Sequence, residues 1–390
     1  MTYSTMALPL RRLLSGCLGV LATMAVCFAS PATAADAAKD KDKAAVSGQP
    51  VFYPPPPDEP RLQFLAKFSS PYDIATSKGG LRGLVFGGEE LEEHLVQKPY
   101  GLAIFEGAIY VVDTRGNGYA VFDLAAKRTR VVKGSGASAM PKPINITIDA
   151  DGTRYLTDTQ RNVVLVFDKN DRFVRALGAK DQFRPVDVAV VGDRLYVTDV
   201  EHMKVHVLDK RSGQTLSAFG EAGSKPGQLF HPTNIAVGPD RTLYITDTTN
   251  FRIQQFTLEG EFIREIGQIG VSPGQFARPK GVALDREGRI YAVDAAFENV
   301  QVLDTDGAPL TFFGGPGDGP GNINLPTVVK VDYDNVKYFR QYAAPGFEVE
   351  YLVLVASQFG ANKVSVYGFG AMKGNGGAAR AQPAEKSGER

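Results

Sequence analysis

An all-β fold is what this sequence predicts: a six-bladed β-propeller of four-stranded antiparallel blades, its ring closed by an N-terminal strand. Three observations carry that expectation. Prolines at 99, 143, 185, 232, 279 and 326 each open a run of the form P-x-x-[LIV]-x-[LIV], spaced 44, 42, 47, 47 and 47 residues apart. A fixed period of this length means one supersecondary unit copied around an axis. Each unit then holds four short β-rich runs separated by turn residues, and the last unit is one run short.

At the N-terminus, Arg11 and Arg12 precede an apolar run over 13–29, followed by Ala32-Thr33-Ala34. This pattern predicts a signal peptide over 1–34 and hence export to the periplasm or secretion. Two alternatives keep the segment attached to the membrane: an uncleaved signal anchor, or a lipid anchor at Cys17 in the stretch Leu14-Ser15-Gly16-Cys17. Both cysteines, Cys17 and Cys27, fall inside this segment. A chain cut after Ala34 therefore has no thiol or disulfide chemistry.

Residues 35–60 are rich in Ala, Lys and Asp and end in Pro54-Pro55-Pro56-Pro57, which predicts a disordered Pro-rich linker. The propeller is expected over 61–370. Residues 371–390 are small and charged and predict a disordered tail.

The unit grammar is clearest over 231–267, where TNIAV, TLYIT, RIQQF and EFIREIG are the strands and Pro-Asp-Arg, Asp-Thr-Thr-Asn and Glu-Gly supply turns. These residues resemble the NHL-repeat family of β-propellers, most closely in DTTNFRIQQF following GQLFHPTNIAV, and the likeness covers about 61–370. Residues 77–97 and the stretch around Tyr338 to 347 are insertions relative to the pattern, and Ser357 stands where the other units have Asp. The sixth unit lacks a counterpart of EFIREIG, so residues 61–68 are expected to supply its fourth strand, leaving no exposed edge.

Asp113, Asp158, Asp199, Asp247 and Asp294 each end a second strand. They read as turn residues whose carboxylates accept backbone N–H groups two residues on. In the inner strands, the bulky positions, such as Leu102/Ile104 and Ile235/Val237, alternate with Ala103, Thr147, Ala189, Ala236, Ala283 and Lys330. The bulky set is expected between blades and the mostly small set where blades converge on the axis.

Function must be sought in the loops. Lys and Arg total 43 and Asp and Glu total 43, so overall charge points to no polyanionic or polycationic partner. Position does. The residue before each proline is Lys98, Lys142, Arg184, His231 and Arg278, with Leu325 the exception. Loops between second and third strands emerge on the same face and carry Arg115, Arg161, His202 and Arg252. Asp149, Asp151, Asp168, Asp171, Asp240, Asp285, Asp306, Glu261 and Glu287 belong to turns on the reverse face. These nine basic residues are the expected partner-binding surface of an exported binding or scaffold module, a monomer whose partner is a protein, a peptide or an anionic envelope polymer.

Two residues after the proline, Asn145, Asp187 and Asn234 from consecutive units form a candidate ligand site at the channel mouth and a weak set for Ca²⁺; no other cofactor is expected. The resemblance supplies the enzymatic alternative. Lactonase-type propellers hold a metal with similar residues one position earlier, where this chain has Ile144, Val186 and Thr233, and the amidating lyase uses a zinc held by histidines. Here the histidines are His94, His202, His206 and His231, on separate elements. Intracellular NHL domains also bind nucleic acid through a basic face. Export argues against that reading, and the chain has no Trp for base stacking.

Overall fold

A computed structural model of the chain describes residues 48–74, 95–178 and 181–374. The signal-peptide segment 1–34, His94, most of the insertion at 77–97 and the tail from 375 onward lie outside the described residues. No helix among the described residues is long and apolar enough to cross a membrane.

The chain forms a six-bladed propeller. Blades 1 to 5 are four-stranded antiparallel sheets whose inner strands are Pro99–Phe105, Pro143–Ile148, Pro185–Val191, Pro232–Val237 and Pro279–Leu284. The sixth sheet has the inner strand Asn324–Asp332, then Phe347–Phe359, Val364–Met372, Leu62–Phe68 and the two-residue strand Phe52–Tyr53. Leu62–Phe68 runs antiparallel to Val364–Met372 from the pair Leu62↔Phe369 to the pair Phe68↔Val364. Part of the segment expected as a disordered linker is therefore strand: Phe52 and Tyr53 pair with Gln63 and Leu62, and the Tyr53 hydroxyl donates to the Gly321 carbonyl at 3.0 Å. An apolar ring next to an open strand edge has more to gain from pairing than from solvation.

Each pair of neighbouring blades encloses its own apolar core. Ala103, Tyr110, Ile146 and Leu156 are buried between blades 1 and 2, and Tyr244, Ile253, Val282 and Ile290 between blades 4 and 5. Between blades 6 and 1, Leu65, Phe68, Leu352 and Val366 meet Leu102, Ile109 and Phe122. The insertion in the sixth unit also packs here: Phe339 is fully buried in this core, and Asn335 Oδ1 accepts the Gly107 N–H at 2.7 Å.

The small inner-strand residues have a cause beyond convergence on the axis. Ala103, Thr147, Ala189, Ala236 and Ala283 each lie directly across from a tyrosine of the second strand, Tyr110, Tyr155, Tyr196, Tyr244 and Tyr291. Both sets of inner-strand residues pack between blades, on opposite sheet faces; the small one makes room for the ring. Lys330 lies across from Leu354 and breaks the series.

The five strand-ending aspartates do more than close turns. Asp113 accepts N–H groups from Gln97 and Lys98 in the loop before the proline, and from Arg115 in the following turn, at 2.7, 3.1 and 2.9 Å. Asp158 holds Lys142, Gln160 and Arg161 in the same way, and Asp294 holds Ala277, Arg278, Ala296 and Phe297. In the sixth blade Ser357 occupies this place opposite Pro326, and its hydroxyl has no partner. The Leu325 N–H goes instead to Glu298 of blade 5, at 2.9 Å.

Two outcomes follow from these contacts. Asp294→Ala strands several backbone donors and should cost about 3 kcal/mol in urea unfolding, whereas Ser357→Ala should change stability by less than about 0.5 kcal/mol. Deleting residues 61–68 exposes the Val364–Met372 edge and should abolish the cooperative melting transition seen by circular dichroism.

Candidate functional site

The loop before each inner strand and the loop between second and third strands emerge on one face, here called the proline face. Of the nine basic residues expected there, Arg115, Lys142, Arg184, His202, His231 and Arg278 are exposed. The others have internal work. The Lys98 ammonium lies 5.6 Å from the Phe359 ring centroid, and the Arg161 guanidinium donates to the carbonyls of Ala137 and Ala139. Arg252 is buried, bound to Glu265 at 2.7 Å, to Asp247 and to the carbonyls of Lys225 and Gln228. A guanidinium with that many partners is part of the fold and unavailable to a ligand. His202, though exposed, has its Nδ1 2.7 Å from Asp199 Oδ2.

The reverse face carries acids in its turns, and four of the nine, Asp149, Asp171, Asp285 and Glu287, make ion pairs, while Asp151, Asp168, Asp240, Asp306 and Glu261 make none among the described residues. Asp171 pairs with Arg130 and Arg154, Asp149 with Lys210 and Asp285 with Arg289.

Asn145, Asp187 and Asn234 are each 1% exposed. They sit at an irregularity that every inner strand shows just after its proline. Asp187 Oδ1 accepts the Val188 N–H at 2.8 Å; its Oδ2 accepts the Ile235 N–H at 3.1 Å and the Asn234 amide at 3.2 Å. Asn145 Oδ1 accepts the Ile146 N–H at 3.0 Å. Burial raises the Asp187 carboxyl above its ordinary range, opposed by the charge of Lys330 and by these donors. Asp187 alone of the three ties blade to blade, through Asn234 and Ile235; Asn145 bonds within its own strand, and Asn234 donates its amide to Asp187. Where the position is glycine the reason is closeness: a methyl group on Gly281 would fall 2.7 Å from the Val328 Cα of the next blade.

The ring that does face the mouth is one residue earlier: Tyr100, Ile144, Val186, Thr233, Lys280 and Thr327. Tyr100, Ile144 and Val186 pack together as an apolar floor with Val200 at its side. The Lys280 ammonium lies 5.6 Å from the Tyr100 ring centroid. Burial, helped by the neighbouring charge of Arg278, lowers its pKa to about 8. His231 is lowered too, by burial first and then by Lys280, with Arg184 adding to the effect and Asp247 opposing it. Arg184, His231, Arg278 and Lys280 thus crowd one side of the mouth, and Asp247 is already held by Arg252. At the other end of the axis, a cavity of about 260 Å³ is lined by Ala189, Ala236, Ala283 and Lys330 among others. Lys280 carries no sequence signal of its own, because the position directly after the proline holds Tyr, Ile, Val or Thr in the other units and no residue type repeats there.

Comparisons with known proteins agree with the fold. A family model described as a 6-bladed beta-propeller matches residues 183–266. The peptidyl-glycine alpha-amidating monooxygenase of Mus musculus is 27% identical over 200 residues, 46% of this chain and 19% of that protein. This chain thus spans about a fifth of the length of the curated relatives it matches, the Rattus norvegicus enzyme included. A gluconolactonase from Xanthomonas campestris superposes with a TM-score of 0.53 at 15% identity, covering 83% of this chain and 98% of that one. A Bacteroides thetaiotaomicron protein of unknown function gives 0.54 at 15% identity, over 78% and 75%. At these identities the solved structures speak to fold alone.

The low Lys280 pKa is directly measurable. In protein labelled at lysine Cε, one resonance should titrate near pH 8 and vanish in Lys280→Gln. Because a lysine pKa lowered by folding makes the charged form unfavourable, stability gained from Lys280 rises between pH 8 and about 10.4. Lys280→Gln should accordingly leave the pH 7 melting temperature unchanged or raise it.

Proposed function

We propose that this chain is an exported propeller of NHL type that acts as a binding module, taking an acidic peptide or polymer segment at the axial mouth of its proline face. The observation that carries this reading is the crowding of Arg184, His231, Arg278 and Lys280 beside an apolar floor of Tyr100, Ile144 and Val186. The charges of Arg184, Arg278 and Lys280 at the mouth repel one another, and the same field and burial hold His231 in its neutral form. A negative group placed among them relieves that repulsion, while an apolar portion of the same ligand covers the floor. The sequence pattern of residues 1–34 supports export, so the partner is sought in the periplasm or outside the cell.

The enzymatic alternative, lactonase-like or amidating-lyase-like, takes its support from what the similar proteins are called. It needs polar side chains aimed at substrate. Its candidates here, Asn145, Asp187 and Asn234, are each 1% exposed, and Asp187 is already engaged by the Asn234 amide and by the Val188 and Ile235 N–H groups. Nucleic-acid binding would use the same basic face and is an outcome the test below separates.

A fluorescein-labelled peptide of alternating glutamate and leucine is a suitable probe. Fluorescence anisotropy at low salt should show saturable binding, weakened at least about tenfold by Arg184→Glu, Arg278→Glu and Lys280→Gln combined, with little change in melting temperature. Binding should also fall as pH rises through about 8, where Lys280 loses its proton. Unchanged affinity in the triple variant, or displacement of the peptide by oligo-dT but not by unlabelled peptide, overturns the assignment.

A further inference from the structure

Blades 3 and 4 are built alike, but around different side chains. In blade 4, Asp247 Oδ2 receives the Asn250 amide at 2.7 Å and the Gln254 amide at 3.4 Å, and Arg252 supplies a positive charge. In blade 3 the same places, three and seven residues after the aspartate, hold His202 and His206. His202 Nδ1 lies 2.7 Å and His206 Nε2 3.0 Å from Asp199 Oδ2. Lys204 stands in the place of Arg252 and makes no ion pair with Asp199 among the described residues. Blade 3 has therefore lost the cation that balances the buried carboxylate and has gained two imidazoles pointing at the same oxygen.

We propose that Asp199, His202 and His206 form a binding site for a first-row divalent transition-metal ion such as Zn²⁺, ligated by Asp199 Oδ2, His202 Nδ1 and His206 Nε2. The three ligand atoms lie within 4.8 Å of one another. Metal bonds of about 2.0–2.1 Å at tetrahedral to octahedral angles place ligand atoms roughly 2.9–3.4 Å apart, so small side-chain shifts suffice. Two imidazoles and one carboxylate are the donor types that suit zinc, copper or nickel and disfavour Ca²⁺ or Mg²⁺.

Supporting contacts hold two of the ligands in place. Asp199 Oδ1 accepts the N–H groups of Arg184, Glu201 and His202 at 3.0, 2.9 and 3.3 Å, which leaves Oδ2 turned to the histidines. The His206 ring packs against Phe183 with centroids 5.4 Å apart. Asp199 is fully buried, while the His202 side chain is 43% exposed, so the remaining coordination positions open to water on the proline face. On binding, each ring offers the metal the nitrogen that now faces Asp199. The proton on that nitrogen moves to the other ring nitrogen, or to solvent if the ring carried two.

The neighbouring blade supplies the control. His202→Asn with His206→Gln installs the residues of blade 4, which keep amide donors for Asp199 and remove both nitrogen ligands. Titration of the full chain with Zn²⁺ at pH 7.5 should show one site, and the double variant should bind at least about tenfold more weakly. His231→Gln should bind as the wild type does. Long-range ¹⁵N spectra of the unmutated protein give a second measurement that does not depend on variant folding: Zn²⁺ should shift the ring nitrogens of His202 and His206 and leave those of His231. Absence of Zn²⁺ binding by the wild type, equal binding by the double variant, or shifts confined to His231 or His94 overturns the proposal.

Discussion

A buried carboxylate at the end of the second strand governs each of the first five blades. The loop that returns from an outer strand to the next inner strand has no ladder partner for its N–H groups, and leaving them unpaired in a buried place is costly. Asp113, Asp158, Asp199, Asp247 and Asp294 accept them. Four of the five also gather N–H groups from the turn that follows the second strand. That turn ends on a residue in the left-handed region, Asn117, Asn162, Met203, Phe251 or Glu298, with φ between 52° and 57°. The same carboxylate thus sets the start of the inner strand and the path of the turn beside it. Opposite it stands the proline, which has no N–H to satisfy and pre-sets an extended chain before it.

From this one contact come three concentric rings with different physics. The residue before the proline has its N–H captured, so its side chain projects to the rim, where Lys142, Arg184 and Arg278 stay in water. The next residue after the proline faces the mouth, where Tyr100, Ile144, Val186 and Lys280 share little solvent. The second residue after it is wedged between inner strands, which is why it is either glycine, as at Gly281, or a short polar side chain that binds the adjacent backbone, as at Asp187. Charge has its largest effect in the middle ring, because screening is weakest where water is scarce. Ligand recognition is accordingly assigned to that ring and to the rim cations that lean over it.

The seam between the last and first blades shows how far the plan bends. Ser357 cannot do what an aspartate does, and Glu298 reaches across from blade 5 to hold the Leu325 N–H. The insertion in the sixth unit contributes Phe339 and Asn335 to the junction with blade 1, and Tyr53 and Tyr367 both donate to the Gly321 carbonyl. Blade 3 bends the plan in another way, since histidines replace amides around Asp199 without altering the strands. Local chemistry can vary because the backbone contacts to the other carboxylate oxygen are retained.

Much of the fold was legible in one dimension. The six prolines, the strand-ending aspartates and the alternation of large and small inner residues repeat at a fixed interval, and a period survives without three-dimensional information because every unit solves the same packing problem. The site was legible only in part. The basic residues before the prolines could be counted, but whether each was free could not: Arg184 and Arg278 are exposed, whereas Arg252 is consumed by Asp247 and Glu265. The sequence places Asn145, Asp187 and Asn234 at equivalent positions of consecutive units; the structure buries all three and joins Asp187 to Asn234. By itself the sequence determined the architecture, the number of blades and the face on which cations gather. Only the tertiary structure decided which cations remain unpaired, that Lys280 belongs among them, and that His202 and His206 converge on Asp199. Those outcomes depend on desolvation and on distances between residues of different loops and blades, and neither quantity repeats along the chain.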